Sequence, residues 1–196
     1  MEMIEVFSFD ELDKDVQRDV INKFINDTEY YEDCDWIEDK YNERLKEFGF
    51  FDIKWEYNVG FCQGDYARFT AKVSWDDVIL FLREFEDDTI RRVITLIECE
   101  KVNVWGDVHN IYRCSSSVHF EYDINVDDED EFEKLDEFMN WFIGEYHDAF
   151  LKFINEIEKE FRKDVEEELL YQISDEYIIE NIKANEYRFL KDGKMI

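Results

Sequence analysis

From Phe51 to Val59 apolar side chains alternate with polar ones: Phe51, Ile53, Trp55, Tyr57 and Val59 against Asp52, Lys54, Glu56 and Asn58. Successive side chains of a strand point to opposite faces, so this period of two predicts a strand buried on one side. Turn-forming residues follow from Gly60 to Asp65, and Ala67, Phe69, Ala71 and Val73 then alternate again, which predicts an antiparallel hairpin. Val102 and Val104 leading to Gly106, with Val118, Phe120, Tyr122 and Ile124, predict a second pair and a sheet of about four strands.

Elsewhere the period is helical. Ser8-Phe9-Asp10-Glu11 has the form of a capping box, ahead of Leu12, Val16, Val20, Ile21, Phe24 and Ile25 at helix spacing. A short strand over Met3 to Phe7 is expected before it. A second helix is predicted over about Glu32 to Phe48, with Ile37, Tyr41, Leu45 and Phe48 inward and Gly49 as its left-handed stop. Two short helices follow near Asp76–Glu86 and Asp88–Cys99. From Asp130 the apolar stripe Phe132, Leu135, Met139, Phe142, Tyr146, Phe150, Phe153, Ile157, Phe161 and Val165 predicts a long helix, or two joined, lying across the sheet. Ser174 opens a last helix to about Ala184, and Tyr187 to Leu190 with the Asp192-Gly193 turn ends the chain. The expected class is α+β: one domain over 1–196, an antiparallel sheet packed against several helices, with a helical second layer from about 130.

Composition makes this a folded chain with an extreme surface. Hydrophobic residues are 45% of 196 and aromatics 17%, well outside the range of acidic disordered chains. Yet 52 acidic residues face 23 basic ones, a formal net charge of −29. Such a field repels nucleic acid and anionic membranes and draws cationic surfaces, so neither direct nucleic-acid binding nor a membrane partner is expected. No apolar run approaches the roughly 20 residues of a membrane span. Four cysteines without a CxxC pair, and no basic-then-apolar leader, read as reduced thiols in a cytoplasm.

Candidate chemistry is sparse. Asp127-Asp128-Glu129-Asp130-Glu131 offers many oxygen ligands but lacks the loop glycine and closing glutamate of an EF-hand, and it reads as a solvated helix start. Cys62 would need a histidine base, and nothing local ties His109, His119 or His147 to it. None of these histidines has a zinc-ligand partner one turn away. Phosphate-cradling and acyl-transfer motifs are absent. No catalytic residue, metal or cofactor is expected, and the chain reads as a binder and not an enzyme.

The segment Val59-Gly60-Phe61-Cys62-Gln63-Gly64-Asp65-Tyr66-Ala67-Arg68-Phe69-Thr70 resembles the GF…QGDxAxF hairpin of a widespread, largely uncharacterised family encoded by phages and prophages and often labelled antitoxin-like. The opening Glu11 to Gln17 helix and the ending Ser174-Asp175-Glu176-Tyr177 through Ala184 to Phe189 resemble it too. Tyr66 stands where the family commonly has glycine. The resemblance implies a phage protein acting in the cytoplasm of a bacterial host.

Charge and resemblance lead to one expectation: an acidic inhibitor of a host nucleic-acid-binding defence enzyme, possible partners including a CRISPR effector nuclease, acting by charge mimicry of DNA or RNA. A globule of this length has a radius of gyration of about 16 Å, and duplex DNA of its diameter carries about 24 phosphates, similar to the protein's imbalance. The residues expected to bind are Glu32, Asp33, Asp35, Glu38 and Asp39 with Trp36 as an anchor, and Asp127, Asp128, Glu129, Asp130 and Glu131. Glu158, Glu160, Asp164, Glu166, Glu167 and Glu168 read as a continuation of the charged surface. The alternative is an antitoxin-like module that neutralises a basic toxin.

Overall fold

The computed structural model describes residues 5–27, 34–60, 64–85, 87–112 and 115–196. Among the described residues the architecture is α+β, a four-stranded antiparallel sheet with six α-helices. Helices α1 (Lys14–Asp27) and α2 (Asp35–Glu47) precede strands β1 (Phe50–Asn58) and β2 (Tyr66–Val73). Helices α3 (Val78–Leu82) and α4 (Asp88–Glu98) lead to β3 (Val102–Tyr112) and β4 (Ser115–Ile124), and α5 (Glu129–Gln172) and α6 (Asp175–Ala184) complete the order. The strands pair as a meander, β1-β2-β3-β4. The chain divides into two compact units, Asp35–Asp164 and a second formed by Met1–Cys34 with Val165–Ile196.

In the first unit α5 covers one face of the sheet. Trp55 of β1 stacks on Phe161 with ring centroids 3.9 Å apart, and Phe81 of α3 meets Phe50, Phe120 and Phe150. Gly106 is needed where β3 pairs with β4 at Phe120, because a Cβ there would lie 2.5 Å from the His119 carbonyl and 2.6 Å from the Phe120 ring. Helix α2 ends as expected at Gly49, whose φ of +83° suits glycine. Tyr41 packs on Phe161 and Phe48 on Phe153, so α2 runs antiparallel to α5. In the second unit Phe9, Leu12, Val20, Ile21, Ile178, Ile182 and Phe189 form a separate core, and Phe189 bridges Phe7 and Met195.

Three local expectations are corrected. A bulge between Phe51 and Lys54, with Asp52 at φ +53°, buries Phe50 and leaves Phe51 exposed, because one extra residue inverts the facing of what precedes it. The Ser8–Glu11 box closes a single 3-10 turn, Phe9–Glu11, and α1 starts only at Lys14. On α5, Phe132 is exposed and the buried row runs through Ile154 where Phe153 was expected. Of the expected strand over Met3 to Phe7, the described residues Glu5 to Phe7 form no strand, only the single bridge from Phe7 to Phe189.

Candidate functional site

Helix α2 buries Ile37, Tyr41 and Leu45 and leaves Asp35, Asp39, Glu43 and Glu47 exposed, four carboxylates at successive steps of four. At 1.5 Å per residue they stand about 6 Å apart along the axis. The helix's own cations do not neutralise this row. Lys40 pairs with Asp164 at 2.6 Å and Arg44 pairs with Glu160, both reaching across to α5. Lys46 flanks only the C-terminal end. Trp36 lies beside the row's first turn with half of its surface exposed. Glu38 is half-buried, and Glu32 and Asp33 fall outside the described residues.

The second expected cluster is used differently. The Asp128 carboxylate accepts from the Glu131 amide at 2.8 Å and so caps α5, while Glu131 pairs with Lys101 at 2.6 Å and holds that ammonium's pKa above its ordinary value. Asp127, Glu129 and Asp130 remain exposed. Further along the same outward face, Lys134 and Lys152 alternate with Glu133, Glu137, Glu145 and Glu156. The structure does not bring the two clusters together. Lys40 meets α5 at Asp164, which lies about 50 Å along the helix axis from Glu131.

The remaining sequence candidates have local partners. His109 bonds Asp107 at 2.8 Å, His119 lies 3.5 Å from Glu121, and His147 lies beside Asp148. Among the described residues no group of three or more histidine, cysteine or acidic side chains converges as metal ligands would. Cys62 lies outside the described residues. No described helix is long and apolar enough to cross a membrane.

One feature escaped the sequence. Glu158, assigned to the charged surface, is buried between α5 and the sheet. Its Oε1 accepts from the Ser116 hydroxyl and from the Phe69 amide at 3.3 Å. Burial raises its pKa to about 7, against the lowering pull of Ser116, Phe69 and the nearby Arg68 guanidinium. It floors a polar pocket of about 280 Å³ that opens beside the β1–β2 turn, with Asp65, Tyr66, Asn155, Lys159 and Arg162 around it. The signal was available: Glu158 shares a face with Ile154, Phe161 and Val165 at spacings of three and four, so it falls on the buried stripe. Glu160 and Asp164 are likewise engaged, by Arg44 and by Lys40 with the Tyr41 hydroxyl.

No family model matches the chain, and no curated protein and no solved structure matches it either.

Proposed function

We propose that this protein binds and inhibits a nucleic-acid-binding host defence enzyme, as phage-encoded anti-CRISPR proteins do, by presenting helix-borne carboxylates where the enzyme expects phosphates. The observation that carries the reading is the row Asp35, Asp39, Glu43 and Glu47, exposed along one side of α2 while Lys40 and Arg44 are held by α5. A strand of duplex DNA carries one charge per 3.4 Å of rise, so this row has roughly half that linear density. Trp36, exposed beside it, supplies an anchor of the kind that dominates interface energies. A rigid helix holds the charges in place before contact, which lowers the ordering cost of binding. The net charge of −29 steers a basic groove towards it.

The test uses a panel of purified CRISPR effector nucleases and reads DNA cleavage with and without the full chain. Inhibition should appear for a cognate effector and weaken as salt rises. It should vanish when Asp35, Asp39 and Glu43 are replaced together by lysine, with folding intact by circular dichroism. Equal inhibition by the lysine variant would overturn the mimicry.

A further inference from the structure

A pocket of about 410 Å³ opens between α1 and the hairpin over residues 188–196. The hairpin closes on itself, the Leu190 amide donating to the Lys194 carbonyl and the Ile196 amide to the Arg188 carbonyl. Its tip at Gly193 lies against Val16 and Val20 of α1. Buried Val20 and Phe189 floor the pocket, and half-buried Phe24 and exposed Met195 wall it. The Phe24 ring packs on Tyr187 at 5.8 Å, which fixes that wall. The charged side chains of the lining are two exposed lysines, Lys23 from the helix and Lys194 from the hairpin. Neither ammonium is paired with a carboxylate. No acidic side chain lines the pocket, although the protein has 52 of them. Asp192 turns back to accept the Lys194 amide at 3.1 Å, and Asp19, one turn before Lys23, is outside the lining. The hairpin itself carries Arg188, Lys191 and Lys194 and one acidic side chain, Asp192.

We propose that this pocket binds a small amphiphilic monoanion, a carboxylate on a short hydrocarbon chain. The chain lies on Phe24, Phe189 and Met195, and Lys23 and Lys194 hold the carboxylate. A concave, mostly apolar lining with a few polar groups at one side is the usual form of a small-molecule site, and a methionine wall adapts to a flexible chain. Ammonium groups donate and do not accept, so two unpaired ones suit an acceptor-only headgroup. The net charge of −29 repels a dianion more strongly than a monoanion, which favours a carboxylate over a phosphate. The site is independent of the inhibitory role, because it lies in the compact unit that does not contain α2.

The experiment is a titration of the ¹⁵N-labelled full chain at pH 7 with sodium octanoate, kept below the concentration at which it self-associates. Acetate, which has the charge without the chain, and 1-octanol, which has the chain without the charge, are the references. Octanoate should give saturable amide shifts at Val20, Lys23, Phe24, Phe189 and Lys194, acetate none, and octanol an affinity about tenfold lower, the upper end of what two exposed ion pairs contribute. The Lys23→Glu, Lys194→Glu variant, altered only at exposed positions, should bind octanoate no better than octanol. Lys14→Glu with Lys191→Glu changes the net charge equally outside the pocket and should bind octanoate nearly as the parent does. The proposal is overturned if octanoate gives no saturable shifts or shifts only residues outside the pocket. It is also overturned if acetate binds as tightly, if octanol does, if the Lys23→Glu, Lys194→Glu variant binds as the parent does, or if the control pair loses as much affinity.

Discussion

Glu158 carries the clearest consequence at the scale of a single residue. Its carboxyl titrates near 7 in the folded protein against about 4.5 when unfolded, because the charged form is buried. Below pH 4.5 both states hold the proton, between 4.5 and 7 only the folded state does, and above 7 the fold carries a buried charge. The stabilising difference is therefore full at low pH and lost as pH rises through 7, amounting to about 3 kcal/mol at order of magnitude. Glu158→Gln, whose amide oxygen still accepts from Ser116 and Phe69, should match the parent near pH 4 and exceed it by up to that amount at pH 8. Urea unfolding of the two proteins across this range measures the difference directly. Gly106 makes an opposite kind of demand. Gly106→Ala drives a methyl into the His119 carbonyl and the Phe120 ring, and a loss of about 1–3 kcal/mol is expected in the same assay.

Single elements depend on contacts that are distant in sequence. Helix α4 is capped by Asp87, whose carboxylate accepts from the Thr89 amide at 2.6 Å and also from the Tyr146 hydroxyl of α5. Those bonds hold the Asp87 carboxyl below its usual range. Asp87→Ala should lower the melting temperature, because a cap and a tether to α5 are lost together. A Tyr146→Phe, Asp87→Ala double-mutant cycle by thermal unfolding separates the two, and a vanishing coupling would show that the cap acts alone. Helix α5, 44 residues and about 66 Å long, buries Met139, Phe142, Phe150, Ile154, Ile157 and Phe161. Its periodicity was readable from sequence over most of that length. The bulge in β1 was not, because nothing in an alternating Phe51–Val59 pattern marks the step at Asp52 where the facing changes.

Over the whole molecule the net charge of −29 opposes compaction through self-repulsion. Added salt screens those repulsions over about 10 Å at 0.1 M, so the melting temperature should rise between low and moderate salt. The triple lysine replacement at Asp35, Asp39 and Glu43 should raise it at low salt while removing the proposed binding row, and scanning calorimetry at two salt concentrations checks both. Sequence alone determined the α+β class, the strand pairs and the position of most helices, because periods of two and 3.6 are set by backbone geometry and are visible within a dozen residues. Only the tertiary structure decided which carboxylates face water. Glu158, Glu160 and Asp164 look alike along the chain, yet one lies under the sheet and two are held by α2. A side chain's charge is local, whereas its burial and its partners depend on what the fold brings against it from distant parts of the chain, 42 and 89 residues away for Glu158 and more than a hundred for Glu160 and Asp164.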